Sequence, residues 1–489
     1  MDDRDKARLF ENVFAPKKVP FLLLTALSFA AGCAREAFGD GGDGGAVQGD
    51  VGGGQQASAP GELVAEPEDE SAVFWNQTEV VTFEIEISQE NLARLDADPT
   101  AEQYEEAIFK YGDEVYPGVG LRYKGSYGGW VACFGGSFGT AGGILPGGEK
   151  TCPKLSMKVS FDWLDPRQDF HGVDKLNLAS LNEDASHMRE RLGYALFREF
   201  GLAAPRSAYV RLEVNGQFQG LFLAIEEVDK RFARSRFTEG GEGNIYKEIW
   251  PDEIDPLVYE PSLRANRRDP NRVIERVVRF AQALGEAPDD AAVAELSDQW
   301  LDNDYIMRFI AADRTLAFDD GIFHWYCSGG YRSGNNPDPC SNHNYFWYEE
   351  TGWDRLWLIA WDMPLSMQGE SGFTRIVDEW NDTGASCEKK TNGYPLSPPQ
   401  LAPCCDKLTH GWASLGAEYA SAVRAFLDGP FTREKVETKL DAWSEQIAPV
   451  VREAAAAGQG PAAGIWSLAG SDLRRALDEL RTAAEARAD

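Results

Sequence analysis

The run Leu356-Trp357-Leu358-Ile359-Ala360-Trp361-Asp362 reads as an apolar strand that ends on a carboxylate, and it fixes what the residues before it can be. His343-Asn344-Tyr345-Phe346-Trp347-Tyr348 is the preceding arm of the same hairpin and brings a side-chain amide to its start. Asp319-Asp320-Gly321 adds an acidic pair ahead of both. An acid, an amide and a second acid are the parts used in magnesium-dependent phosphoryl transfer from a nucleotide. One carboxylate orients a hydroxyl nucleophile, while the amide and the other carboxylate hold the metal against the phosphates. Two loop carboxylates and a turn asparagine would read the same way, so the rest of the chain must decide.

At 489 residues there is room for one large domain or two ordinary ones, with ample apolar content for a core. The net charge of −31 argues against nucleic acid or an anionic membrane surface as a partner, because both would repel it. Most of the eight cysteines fall in Gly- and Pro-rich loops, which favours disulfides. Cys133 and Cys152 bracket a glycine-rich loop, Cys327 and Cys340 bracket Gly329-Gly330 through Pro339, and Cys387 lies ahead of adjacent Cys404-Cys405. Zinc is the competing reading, but no CxxC pair or matching histidine spacing is present.

Lys17-Lys18, the apolar run 19–29 and Ala30-Ala31-Gly32-Cys33 describe a secretory signal, with a run too short to span a bilayer comfortably. It resembles a bacterial lipoprotein signal in which Cys33 becomes the lipidated first residue, although Ala30 stands where leucine is usual. Residues 1–33 are therefore expected to be signal, with plain secretion as the alternative to a lipid-anchored envelope protein. Residues 34–72, rich in Gly, Asp, Gln and Glu, are expected to be a flexible acidic tether.

Beyond the tether, alternation predicts strands over 80–87, 115–123, 154–161 and 174–179, with a short helix near 91–95. A helix is expected from an Asp184 N-cap to Phe200, stopped by Gly201. Residues 209–225 form a hairpin around Asn215-Gly216, the pair suited to a type I′ turn. Helical patterns follow over 272–301 and 304–316 and again through most of 408–488.

The order of strand, glycine turn, strands, helix, hairpin and acid/amide/acid set is that of a protein kinase. The chain specifically resembles the CotH-like (spore coat protein H) family of atypical protein kinases. The likeness is carried by Lys175-Leu176-Asn177-Leu178, Met188-Arg189-Glu190, Val214-Asn215-Gly216-Gln217-Phe218-Gln219-Gly220, Glu226-Glu227-Val228-Asp229-Lys230, Asn244-Ile245-Tyr246-Lys247, His343-Asn344-Tyr345 and Trp361-Asp362. It implies an α+β, two-lobe kinase-like fold, with a β-rich N-lobe over 73–230 and a mainly helical C-lobe over 231–489. It also implies ATP and Mg²⁺, or Mn²⁺, as cofactors.

By the same resemblance Asn344 and Asp362 are the expected metal ligands and Asp320 the catalytic base, with Asp319 as its alternative. An insertion between Cys327 and Cys340 separates Asp320 from Asn344, and a disulfide there would bring the two together. Lys175 looks like the phosphate-contacting strand lysine, with Lys158 as rival, and Glu190 like its helical ion-pair partner. Lys124-Gly125-Ser126-Tyr127-Gly128 looks like the turn over the phosphates, and Glu226-Glu227-Val228 falls where a hinge meets adenine, with Glu226 as the expected contact. Pro364 departs from the family, which often has a second Asp there.

The implied activity is phosphorylation of Ser or Thr in an envelope or secreted protein. Pro364, the altered turn and the insertions are also compatible with a catalytically inactive surface lipoprotein that acts in binding or adhesion. A secreted carbohydrate-binding or hydrolytic protein would need two facing carboxylates that the sequence does not place.

Overall fold

The computed structural model describes residues 63–488 apart from 76–77, 126–132, 134–147, 238–239, 268, 328–339, 353–354, 369–373 and 394–396. The signal-like segment, Cys33, the tether up to residue 62 and the Ser126-Tyr127-Gly128 part of the expected phosphate turn lie outside the described residues. Residues 63–71, expected to be the end of the tether, are instead held against the domain. Leu63 bridges to Phe237, the Val64 N–H donates to the Arg236 carbonyl at 2.7 Å, and Asp69 pairs with Arg206.

Seven strands close a barrel: β1 (Val81–Ile87), β2 (Glu105–Tyr111), β3 (Glu114–Tyr123), β4 (Met157–Ser160), β5 (Lys175–Ala179), β6 (Ser207–Val214) and β7 (Gln217–Glu226). Their spatial order is β1-β2-β3-β4-β5-β7-β6. Neighbours run antiparallel except β6 and β1, whose parallel pairing completes the circle. The β6–β7 turn has Asn215 at φ 50° and Gly216 at φ 70°, as a type I′ hairpin requires. Asn215 also helps to close the barrel, since its amide exchanges hydrogen bonds of 2.8 and 2.9 Å with the backbone of Ile87. An aromatic cluster that includes Phe83, Phe109, Phe161 and Phe170 fills the interior. Each such side chain contributes about 1.5–3 kcal/mol by leaving water.

Helix α1 (Gln89–Ala97) follows β1 and is capped by Ser88. Helix α2 (Arg189–Glu199) lies between β5 and β6 and starts five residues later than the expected Asp184 cap, because His187 adopts φ 62° and breaks the helix there. Asp184 still serves this end, since its carboxylate accepts the Arg189 N–H at 2.8 Å. After β7 come α3 (Lys230–Arg236), β8 (Ile245–Lys247), α4 (Arg276–Glu286), α5 (Asp290–Leu301), α6 (Asn303–Thr315), β9 (Trp325–Tyr326), β10 (Tyr345–Glu349), β11 (Leu356–Ala360) and β12 (Gln400–Leu401). The chain finishes with α7 (Lys407–Ala413), α8 (Gly416–Asp428), α9 (Arg433–Ala457) and α10 (Ala463–Ala488). No described helix is long and apolar enough to cross a membrane.

A second core joins these helices to the outer face of the barrel. On β7, Phe222 and Ala224 point into the barrel, while Leu221, Leu223 and Ile225 pack with Leu192, Leu196 and the helical layer. Disulfides join Cys133 to Cys152, Cys327 to Cys340 and Cys387 to Cys405, and Cys404 is a buried free thiol.

Candidate functional site

Strands β11, β10 and β8 form one antiparallel sheet in that order, so the end of β8, the start of β10 and the end of β11 meet at a single edge. Glu248, Asn344 and Asp362 stand there, and all three have left-handed backbones, at φ 54°, 65° and 57°. That conformation costs a non-glycine residue about 1–2 kcal/mol. Three such residues in one place mark a site whose side-chain directions are set by the surrounding structure.

The turn after α6 brings Asp320 to this edge. Its Oδ2 accepts from Asn344 Nδ2 at 3.0 Å, its Oδ1 takes His343 Nε2 at 3.1 Å and the Tyr326 hydroxyl, and its backbone carbonyl accepts from Asn344 Nδ2 at 2.8 Å. Burial opposes ionisation of Asp320, but His343 and these hydrogen bonds outweigh it and hold the carboxyl below its ordinary range. The Cys327–Cys340 bond closes the insertion beside it, where Tyr326 and Ser341 exchange backbone hydrogen bonds of 2.9 and 3.0 Å. Asp319 has a different position, with its carboxylate on Arg314 at 2.9 Å.

Helix α2 forms another wall. Tyr194 donates to Glu190 Oε1 at 3.0 Å, and its oxygen accepts the Asp362 N–H at 2.8 Å. Burial, together with the charge of Asp362, pushes Glu190 up to about 8. Glu183 is pushed up to about 7 by burial, Asp362 and Asp320.

The outer face of the barrel supplies the cations. Lys158 pairs with Glu227 at 2.5 Å, and Asn177 Nδ2 donates to the same carboxylate at 2.6 Å. Against the cost of burial these partners hold Glu227 down at about 2. Lys124 follows β3 and precedes exposed Gly125; its backbone N–H donates to the Ser156 carbonyl at 2.9 Å, while its ammonium makes no hydrogen bond among the described residues. It lies over the Trp361 ring, 5.4 Å from its centroid, within reach of the Asp362 charge.

The structure therefore brings Asp320, Asn344, Asp362, Glu190 and Lys124 to one place, with Lys158 beside them. Other expected residues have side chains engaged elsewhere. Lys175 pairs with Asp162 at 3.0 Å. Glu226 is buried between Arg206, at 2.6 Å, and Arg236, and these two arginines overcome its burial and hold it at about 2. Sequence reasoning did not assign Glu248, Tyr194 or Tyr326, and it placed Glu227 in the hinge segment rather than as the partner of Lys158. Tyr194 is legible in retrospect as the residue one helical turn after Glu190.

The residues fit a magnesium–nucleotide complex in the following respects. The Asp362 carboxylate accepts no hydrogen bond among the described residues, and burial keeps its pKa raised, a penalty that a cation would relieve. Asn344 uses its Nδ2 on Asp320, which leaves Oδ1 as its remaining donor to a metal. Among the described residues no three His, Cys, Asp or Glu side chains form a cage that holds a metal alone. Magnesium is commonly held by one or two carboxylates plus phosphates and water.

The matched family model is described as CotH kinase protein and covers residues 121–489. Inner spore coat protein H of Bacillus subtilis (strain 168) is 30% identical over 83 residues, 17% of this chain and 22% of its own length. Inner spore coat protein H-like protein of the same organism is 24% identical over 124 residues, 25% of this chain and 39% of that one. Invasin CotH3 of Rhizopus delemar is 24% identical over 206 residues, 40% of this chain and 33% of its own. The chain thus spans less than two fifths of the length of these relatives. The family match covers well over half of the sequence, and the chain belongs to the CotH kinase protein family.

Proposed function

We propose that this chain is an extracytoplasmic, ATP- and magnesium-dependent protein kinase that phosphorylates Ser or Thr in an envelope or secreted protein. The observation that carries the reading is the meeting of Asp320, Asn344 and Asp362 at one sheet edge, opposite Lys124 and Lys158 of the barrel. In this reading the barrel and the helical layer act as the two lobes of a kinase-like fold.

Asn344 and Asp362 would hold magnesium, which neutralises charge on the phosphate oxygens. Lys124 and Lys158 would counter the remaining phosphate charge. Asp320 would accept a hydrogen bond from the acceptor hydroxyl and take its proton. The hydroxyl oxygen forms the new P–O bond as the bond from the γ-phosphorus to the departing ADP oxygen breaks. Tyr326, His343 and Asn344 fix Asp320 in its ionised form, which suits it to orienting the hydroxyl rather than to acting as a strong base. Relatives named as a spore coat protein and an invasin, together with the Cys33 signal, support a surface location with a lipid anchor.

The test is transfer of γ-labelled phosphate by the full chain, to itself and to generic acceptor proteins, with Mg²⁺ or Mn²⁺. Asp320→Ala and Asp362→Ala are each expected to lower transfer by about 100-fold or more. Folded protein that neither binds nucleotide nor transfers label would overturn the reading. It would favour the inactive binding lipoprotein with which Pro364 is compatible.

A further inference from the structure

We infer that Tyr194 is the positioning residue for Asp362, and that Glu190 acts through Tyr194 rather than as the partner of a lysine. The inference rests on the kinase reading, in which Asp362 holds the metal. The Tyr194 ring is fully buried, and its hydroxyl has two partners, donating to Glu190 Oε1 at 3.0 Å and accepting the Asp362 N–H at 2.8 Å.

The strand geometry explains why Asp362 needs this acceptor. The β10–β11 ladder ends with Tyr345 opposite Ala360, and the next N–H, of Trp361, still reaches the Asn344 carbonyl at 3.3 Å. One residue further the backbone turns left-handed, the ladder is over, and the Asp362 N–H finds Tyr194. That turn aims the carboxylate, so the hydroxyl that holds the amide also fixes the direction of the carboxylate.

Helix α2 is built for the contact. Glu190 and Tyr194 are one turn apart on the same face. Between them Gly193 has no side chain, and a Cβ there would come within 2.9 Å of Met363 Sδ. Every lysine proposed for the site has another neighbour. Lys175 is on Asp162, Lys158 on Glu227 and Lys124 over Trp361; the Lys124 charge is felt by Glu190, but Glu190 forms no ion pair among the described residues.

The test is equilibrium binding of Mn²⁺ with a non-hydrolysable ATP analogue to the full chain, read from the electron paramagnetic resonance of free Mn²⁺. Tyr194→Phe and Glu190→Leu are expected to weaken Mn²⁺ binding by about 10-fold or more, the scale of lost outer-shell support. Glu190→Gln keeps an oxygen that accepts from Tyr194 and is expected to stay within about twofold of wild type. The melting temperature without metal separates loss of fold from loss of the site. Wild-type affinity in Tyr194→Phe overturns the inference, and so does an equal loss in Glu190→Gln and Glu190→Leu. If Tyr194→Phe does not fold, the two Glu190 variants decide, and wild-type binding by Glu190→Leu overturns it. Absence of Mn²⁺–nucleotide binding by the wild type removes the kinase reading itself, whereas binding by the wild type with unchanged affinity in the variants removes only the role of Tyr194.

Discussion

Lys154 has almost no exposure, and its ammonium rests on the Leu221 carbonyl at 2.8 Å and over the Phe222 ring. With no acid to offset it, burial pushes the lysine down to about 7 from an ordinary value near 10.5. The unfolded chain therefore binds the proton more tightly than the folded one between those values, and stability falls as pH drops from about 10.5 towards 7. Lys154→Met is expected to raise stability by about 2–3 kcal/mol at pH 7, after allowing for the lost hydrogen bond, with the gain vanishing near pH 10.5. Urea melts of both proteins across that range check this, and a gain that does not change with pH would show that Lys154 is not carried uncharged. The same parity of buried and exposed positions limited what the sequence could tell about the site. Asp320, Asn344 and Asp362 were legible because each ends or begins a recognisable segment. Choosing Glu227 over Glu226 depends on which face of β7 looks outward, and choosing Lys158 over Lys175, which share the outer face, depends on the β4–β5 register; the sequence shows neither pairing.

At the scale of elements, the Cys327–Cys340 bond and the β9–β12 pair hold Tyr326 against Asp320. Closing a loop of this size is worth about 3 kcal/mol in chain entropy. The Cys327→Ala/Cys340→Ala double variant is thus expected to melt several degrees lower, about 1–2 °C per kcal/mol in a chain this long. Hydrogen exchange should quicken in residues 318–326 and 341–344 and stay unchanged in the barrel strands. Equal acceleration throughout would mean that the bond supports the whole fold rather than this turn. Elements with local signals were readable in advance: the Asn215-Gly216 hairpin, the Gly201 stop and the hairpin ending at Trp361-Asp362. Strand β2 was not, because only Ala107 and Phe109 of its seven residues are buried. The parallel closure of β1 on β6 joins segments more than a hundred residues apart, and neither carries a mark of its partner.

At the scale of the whole molecule, β7 decides whether the two cores can come apart. Its interior face, Phe222 and Ala224, belongs to the barrel, and its outer face, Leu221, Leu223 and Ile225, belongs to the helical layer. Helix α9 is tied to the neighbouring strand β6 by the Arg211–Glu453 ion pair, and Trp466 at the start of α10 donates to the Ser186 carbonyl at 3.2 Å. Melting the barrel would strip one face of β7 and leave the helices packed on a strand without its sheet partners, so the two cores should unfold together. Phe109→Ala, at the centre of the barrel and far in sequence from the helices, provides the test. Its cavity is expected to cost about 3–5 kcal/mol and to lower the melting temperature by about 3–10 °C. The shift should be equal whether read by far-ultraviolet dichroism, which is dominated by the helices, or by exchange in β1–β3. Two separated transitions, with the helical signal unmoved, would show that the barrel melts independently. The edge carrying Asp320, Asn344 and Asp362 would then keep its shape without the lysines opposite, whereas a single transition makes both sides of the site one cooperative unit.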